Sequence, residues 1–553
     1  MAEQVLDLVA VLRGSHIFKR LSDAQVADVA DLFSVQTFAE GQFIFKEKES
    51  ADAFCFLLSG KVRLWRKLPA QQEEIAICDA EDYFGQDTLR PYRVHQVTAQ
   101  ARTAVTVAIL SYKKYRDLLY RFPMLEDSFV VAFRSYDLLL RQPLLWRTPR
   151  ETVHYLGRQH PLFLWLRLLP GLILLMVGLG LMMYLVFLAQ NPAFLLVLAG
   201  IVFLAGAVWV WWERLNWANK LMIITNRRAV YQERVVLFYD SQRETPLDAI
   251  VSEDVQTDFW GRWLGFGNLL VRTYTGMLPM KRIAAVREVK MILDEQRQQA
   301  MARSQRVRKR TLNEAIAQRL QKLPAAPAQE EEEEKIVPAQ VRPGWFQTTL
   351  SRLFNVREQK GRLIIYRTHA FILIKRAGLY VLGVLVLWGL ILWGLFAWRF
   401  AGVIFLIAFL FLVSLVGVGF AAWNIWDWRN DQYLITENEL VDVYKKPLGK
   451  EVRRSSPIEN IQTIDFTRPN FWALLFDFGT VIIRVGNDTL TFNNVPSPAS
   501  VQREIFERFL EKKFLKEKRQ AEQEQERIVE WIQAYDEYRR RYEGPLPPAA
   551  PQG

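Results

Sequence analysis

Three stretches without a single charged residue, Leu168–Trp212, Ala377–Trp398 and Phe400–Trp426, constrain this chain more than any other feature. A membrane-spanning helix needs about 20 mostly apolar residues. The first stretch is interrupted by Gln190-Asn191-Pro192 and is long enough for two spans; the other two are parted by Arg399 and supply two more. Two buried hairpins of this kind inside a soluble protein would need an enclosing core larger than the rest of the chain provides. The first span starts beyond residue 160, after a polar, folded-looking region, so it does not read as a cleaved signal peptide.

Basic residues set the expected orientation. Arg147, Arg150, Arg158 and Arg167 precede the first hairpin, and Arg214, Lys220, Arg227 and Arg228 follow it; Arg362, Arg367, Lys375 and Arg376 precede the second, with Arg429 after it. Both hairpins are expected to enter from the cytoplasm and return, leaving the termini and every soluble domain inside. The two cysteines, Cys55 and Cys78, suit a reducing compartment. A net charge of +12 suits a protein lying on an anionic leaflet. Its basic residues gather at the membrane boundaries and form no nucleic-acid motif. The expected partners are the bilayer, anionic headgroups, and other proteins or further copies of the chain, and not nucleic acid.

The chain also repeats itself. Ile223-Ile224-Thr225-Asn226 answers to Leu434-Ile435-Thr436-Glu437, and Pro246-Leu247-Asp248-Ala249-Ile250 to Pro457-Ile458-Glu459-Asn460-Ile461. Phe259-Trp260, Phe266-Gly267 and Arg272 return as Phe471-Trp472, Phe478-Gly479 and Arg484. Constant spacing over separate blocks marks a duplicated module. In the second copy, β-branched runs at 433–436, 439–444 and 480–485 read as strands, and Gly486-Asn487-Asp488 as a hairpin turn. Ser497-Pro498 reads as an N-cap with proline at the first helical position. Each module is therefore expected to be a bent antiparallel sheet closed by a helix.

With its hairpin, its Ile-Thr strand, its Pro-x-x-x-Ile segment and its Phe-Gly strand, each module resembles the bacterial pleckstrin-homology-like (YdbS-like) membrane proteins, over roughly residues 150–292 and 362–512. The resemblance implies a PH-like β-sandwich with a C-terminal helix, anchored by the spans before it, and no particular activity, because the PH fold serves many functions.

Residues 8–145 resemble a cyclic-nucleotide-binding domain. The resemblance rests on Ser15-His16-Ile17-Phe18, Leu21-Ser22-Asp23, Glu40-Gly41-Gln42-Phe43-Ile44-Phe45 and Phe56-Leu57-Leu58-Ser59-Gly60-Lys61-Val62, and implies a β jelly-roll closed by helices near 112–120 and 126–141. The family holds a cyclic phosphate with a short helix N-terminus and an arginine, and the ribose hydroxyl with a glutamate. Backbone N–H groups and a guanidinium suit the phosphate, and a carboxylate accepts from the hydroxyl. The corresponding cassette is Phe84-Gly85-Gln86-Asp87-Thr88-Leu89 followed by Arg93-Val94-His95-Gln96, which places Gly85, Gln86, Asp87, Arg93 and Gln96 as the candidate nucleotide contacts. Arg93 stands for the phosphate arginine. Gln86 replaces the glutamate, with Asp87 as a substitute acceptor, and His95-Gln96 replace the usual small pair. Two readings stay open: a site for cAMP or cGMP, or a cassette kept for structure or for another ligand.

The expected organisation is a cyclic-nucleotide-binding-like domain (1–148), hairpins at 162–212 and 376–426, PH-like domains at 213–292 and 427–512, a charged linker with an acidic break (293–361), a charged helix (513–543) and a disordered tail (544–553). Within the linker, a charged helix at 286–322 brings Arg306, Arg308, Lys309 and Arg310 together as candidate anionic-lipid contacts, or as a solvated face. Ile528, Trp531, Ile532, Tyr535 and Tyr538 recur at helical spacing, as a stripe packed on the neighbouring domain or a partner-docking face. The five histidines have no metal-ligand spacing, and no Walker loop, nucleophile elbow or kinase signature occurs. The expectation is a non-enzymatic, membrane-anchored regulatory or scaffold protein with a nucleotide as its only candidate ligand; the alternative is a ligand-gated transporter or channel component.

Overall fold

The computed structural model describes residues 2–67, 72–89, 94–142, 144, 146–147, 151–187, 193–274, 276–302, 357–361, 363–397, 403–445, 451–486 and 488–542. The cassette residue Arg93, the cluster Arg306, Arg308, Lys309 and Arg310, the acidic break, both hairpin tips and the tail lie outside them.

Helices α1 (Ala2–Gly14) and α2 (Asp23–Ala30) open the chain. Ser22 and Gln25 form a reciprocal capping box at the start of α2. There follow β1 (Ser34–Phe38), β2 (Phe43–Phe45), β3 (Phe54–Ser59), β4 (Val62–Lys67), β5 (Gln72–Cys78), β6 (Tyr83–Phe84), β7 (Thr98–Ala101) and β8 (Val105–Leu110), then α3 (Tyr112–Arg121) and α4 (Glu126–Arg141). The strands make two four-stranded sheets, β1-β8-β3-β6 and β2-β7-β4-β5, the expected jelly-roll. Alternation along the strands sends one set of side chains, including Cys55, Leu57, Val62 and Val107, between the sheets. The other set, with Phe54 and Phe56, packs on Phe18 and Phe129 of the helical layer.

Strand β9 (Val153–Gly157) leads into the first hairpin, α5 (Pro161–Phe187) and α6 (Ala193–Ala218). The first PH-like unit continues with β10 (Lys220–Thr225), β11 (Arg228–Val235), β12 (Tyr239–Pro246), β13 (Ile250–Gln256), α7 (Phe259–Leu264), β14 (Phe266–Thr273), β15 (Gly276–Ala284) and α8 (286–302). The second module holds β16 (Arg357–Lys360), β17 (Leu363–Arg367), the hairpin α9 (Ala370–Ala397) and α10 (Val403–Asn430), then β18 (Gln432–Ile435), β19 (Glu439–Lys445), β20 (Glu451–Pro457), β21 (Ile461–Arg468), α11 (Phe471–Leu475), β22 (Phe478–Val485), β23 (Asp488–Pro496) and α12 (Pro498–Tyr542).

The duplication extends to irregularities. Both copies carry a bulge at the start of the fifth strand pair, at Ile250/Ser252 and Ile461/Thr463. Both carry another beside the Phe-Gly motif, at Gly267/Leu269 and Gly479/Val481. A side chain on Gly479 would strike the Thr467 carbonyl, and one on Gly267 would meet Thr257 Cγ2 at 2.7 Å. The repeated glycine is thus a close-approach position inside the sheet. The short helices α7 and α11 are capped alike by Asp258 and Asn470.

All four hairpin helices are long and apolar enough to cross a membrane. They extend beyond the charge-free stretches, and the added turns hold one ion pair per hairpin, Arg167–Glu213 (3.9 Å) and Arg376–Asp427 (3.7 Å). The sequence reading that the spans hold no ionisable residue applies only to their central parts. Direct pairing of β9 with β10, and of β17 with β18, brings the two ends of each hairpin out on the same side.

The helix that opens at Pro498 runs without a break to Tyr542, so the PH-closing helix and the charged helix of 513–543 are one element. Ser497 does not cap it through its side chain; its hydroxyl donates to Asp477 from a left-handed backbone (φ 44°). Trp531, Tyr535 and Tyr538 are exposed (74, 61 and 58 %).

The two PH-like units are not separate. Strand β12 of the first pairs with β21 of the second, from Asp240↔Arg468 to Glu244↔Ile464. The result is one seven-stranded sheet, β23-β22-β21-β12-β11-β10-β9.

Candidate functional site

Gly85 takes a positive φ (83°), and a Cβ there would strike the Ala53 carbonyl. The turn it permits starts a short helical segment, Gln86–Leu89. Asp87 points inward and is 1 % exposed. It accepts from the Gln96 backbone N–H (3.0 Å), the Gln96 side-chain amide (3.2 Å) and the Tyr136 hydroxyl (3.1 Å). His95 is equally buried; it stacks on Phe45 at 3.7 Å between ring centroids, with Nδ1 3.8 Å from Asp87. Gln86 Oε1 and Thr88 Oγ1 are buried without a hydrogen-bond partner among the described residues. The structure places Gly85, Gln86, Asp87 and Gln96, four of the five candidate nucleotide contacts, next to one another. Asp87 is committed to internal partners, however, and the acceptors left without one among the described cassette residues include Gln86 Oε1 and Thr88 Oγ1. Buried polar groups without partners are uncommon, and they mark where a ligand or water completes the bonding.

Tyr136 ties this cassette to the membrane modules. Burial, and Asp87 beside it, raise the phenol well above its usual pKa, so it stays a donor. It lies on α4, and the neighbouring Ser135 hydroxyl accepts from the Leu156 N–H of β9 (2.6 Å). Strand β9 is one of the two outer strands of the seven-stranded sheet. The barrel also docks on α8: a Glu295 oxygen lies 2.7 Å from both the backbone N–H and Nδ1 of His16, and Arg20 pairs with Glu288.

A buried charge cluster sits where all three soluble domains meet. Arg228 is 1 % exposed, bonded to both Glu151 oxygens (2.8 and 2.7 Å) and to Glu244 (2.5 Å). Its guanidinium lies between Trp146 (4.7 Å) and Phe506 of α12 (4.0 Å). Burial opposes its charge, but Glu151 and Glu244 outweigh that and raise its pKa. Sequence reasoning misses this cluster because Arg228 reads as one more membrane-flanking cation; Glu439, its repeat counterpart, offers no parallel.

At the membrane end, each module has a histidine ahead of its first span. His160 Nδ1 accepts from the Leu162 N–H (3.2 Å) and His369 Nδ1 from the Phe371 N–H (3.1 Å), each serving as a helix N-cap. In the second module Trp472 of the repeated Phe-Trp pair lies beside the helix start. Phe371 stacks on Trp472 and Phe476, while Phe259, Trp260 and Trp263 are exposed. Aromatic side chains in such a place suit the headgroup level of a bilayer. Next to the second hairpin, a cleft of about 370 Å³ is lined by Thr368, Arg376, Asp431, Tyr433, Asp442 and Arg454, among others. Burial, with Asp427 and Asp442 adding to it, pushes the Asp431 carboxyl up to about 6. Two cations and two carboxylates in one cleft can meet a phosphate and an amine at once.

The fold and these sites define a chain with an N-terminal nucleotide-cassette barrel and two membrane-hairpin modules of PH type. Comparison with known families agrees: the cyclic nucleotide-binding domain matches residues 35–122, and the bacterial PH domain matches twice, at 167–297 and 369–509. The chain thus carries a cyclic nucleotide-binding domain followed by two bacterial PH domains. The cGMP-dependent protein kinase egl-4 of Caenorhabditis briggsae is 26 % identical over 145 residues, 26 % of this chain and 19 % of the kinase. The Drosophila melanogaster cGMP-dependent protein kinase, isozyme 1, is 26 % identical over 19 % of this chain and 13 % of its own length. The chain thus spans less than a fifth of these kinases. Among solved structures, the sensor domain of the transcriptional regulator DNR from Pseudomonas aeruginosa is 25 % identical, covering 24 % of this chain and 89 % of that domain, with a TM-score of 0.22.

Proposed function

We propose that this protein is a non-enzymatic, membrane-anchored regulator in which occupancy of the nucleotide cassette biases the PH-domain platform at the cytoplasmic face of the membrane. The observation that carries this reading is the bonded path from Asp87 through Tyr136 and α4 to β9, the first strand of the sheet that runs through both PH domains. A purine cyclic nucleotide whose ribose hydroxyl bonds Gln86 or competes for Asp87 would release or tighten Tyr136. A ligand shifts a conformational equilibrium only through such a difference between states. The basic flanks of both hairpins support the cytoplasmic placement. The interfacial aromatics and the cleft beside α9 support lipid headgroups as a partner.

The test is titration of fluorescent cAMP and cGMP against the full chain in lipid nanodiscs, with hydrogen exchange read at β9. Saturable binding with altered protection of 153–157 is the expected result, and in Tyr136→Phe the binding stays while the altered protection is lost. Binding absent up to millimolar nucleotide would remove the ligand-sensing half of the proposal.

A further inference from the structure

The sheet that joins the two PH domains is a head-to-tail contact: the fourth strand of one copy (β12) meets the fifth strand of the other (β21). Because the module is duplicated, the same two edges exist once more. Strand β20 is the counterpart of β12, and β13 the counterpart of β21, at an offset of 211 fixed by Pro246/Pro457 and Ile250/Ile461. Among the described residues, β20 ends its five-stranded sheet and β13 ends its three-stranded sheet. Pairing matters to burial: Asp240, Ser241, Gln242 and Glu244 of β12 are at most 4 % exposed, whereas Val452 on β20 is 40 % exposed. Unpaired edges of this kind are templates for another strand.

We infer that β20 of one chain pairs with β13 of a second copy, repeating between chains the contact that β12 and β21 make within one. The in-chain register carries over without adjustment and sets Arg454 opposite Asp254 and Val452 opposite Gln256. The charges support it. Within the chain, Arg243 faces Asp465, which also bonds Arg484 (2.7 Å). Asp254 has the equivalent bond to Arg272 (2.9 Å) and stands ready for the equivalent second cation, Arg454. Strand β20 carries Arg453 and Arg454, and β13 carries Glu253 and Asp254. A β13–β13 contact centred on Glu253-Asp254, or a β20–β20 contact centred on Arg453-Arg454, would bring like charges together, which is destabilising. The contact is therefore heterologous, and a heterologous step closes into a ring or runs on as a filament. This inference stands on the sheet geometry and is independent of nucleotide binding.

Two differently tagged full-length chains, one Val452→Cys and one Gln256→Cys, are co-expressed and treated in membranes with a short thiol crosslinker. Cys55 and Cys78 are buried in the barrel and stay silent. A mixed-tag adduct is expected for this pairing and absent when both chains carry the same substitution. Arg454→Glu on the Val452→Cys chain is expected to lower the adduct at least tenfold, while Lys113→Glu on α3 leaves it unchanged. An adduct of equal yield in the same-substitution mixtures, or no adduct together with a monomer mass in nanodiscs, overturns the inference.

Discussion

In the first PH domain the edge strand β12 is covered by β21, and Asp240, Ser241, Gln242 and Glu244 are almost wholly inside; in the second, the equivalent β20 ends its sheet among the described residues. The hairpins differ in the same sense. In the first, a Cβ added to Gly178 would come within 2.6 Å of the Phe203 backbone, and one on Gly206 within 2.7 Å of the Leu175 nitrogen. In the second, Gly417 meets only the Val384 side chain, and Gly419 faces open space. Near the membrane, Lys220 and Glu233 pair at 2.5 Å in the first copy. Asp431 and Tyr444 stand at those positions in the second, and a cleft opens there. Two copies with one core thus acquire different rims: the first is an anchored hub, the second keeps its surfaces available.

The largest expected effect tests the hub. Arg228→Met would take from the buried Glu151 and Glu244 the cation they share, and breaking a buried pair in this way costs about 3–5 kcal/mol. Glu439→Met, at the exposed counterpart in the second copy, should stay within about 0.5 kcal/mol. Chemical denaturation in detergent, followed by tryptophan fluorescence, measures both. Equal losses would abolish the distinction between the copies.

An intermediate effect tests the hairpins. Gly178→Ala forces a methyl group into the Phe203 backbone, and overpacking of this kind costs about 1–3 kcal/mol. Gly419→Ala has room and should be neutral or slightly stabilising, since alanine is the better helix former. Thermal melts of the two variants in the same detergent should therefore diverge; parallel melts would mean that the first hairpin is no tighter than the second.

How much of this is legible in the sequence depends on the range of the interactions. Charge-free runs, the constant offset, and glycines at bulges are local signals that survive in both copies, so the spans, the modules and the barrel can be read directly. The cassette is half legible. Gly85, Gln86, Asp87 and Gln96 do converge, but the commitment of Asp87 to Tyr136 depends on a helix some 49 residues away in sequence. The Arg228 cluster and the β12–β21 joint are not legible at all. They join residues 77 and 228 positions apart, and no periodicity encodes a contact between domains. The aromatic stripe of α12 stays open for the opposite reason: helical spacing defines a face but not what lies against it.

The smallest expected effect concerns the two capping histidines, whose sequence equivalence conceals different burial. His369 is 9 % exposed, and burial lowers its pKa from 6.5 to about 4; His160 is less enclosed, and burial lowers its pKa as well. Both act as acceptors at Nδ1, a role open only to the neutral ring. A histidine whose folded-state pKa lies below its unfolded value stabilises the fold fully above the unfolded value, and that stability is lost as pH falls toward the folded one. For His369 the window runs from about pH 6.5 down to about 4, and at pH 5.5 the loss should be about 1 kcal/mol. Melting the protein between pH 8 and 4.5 should show a plateau and then a decline. His369→Asn, which keeps a capping acceptor but does not titrate, should flatten that decline, and His160→Asn should change it less. A decline that is untouched by His369→Asn would assign the acid sensitivity to other groups and leave the two capped helix starts physically alike.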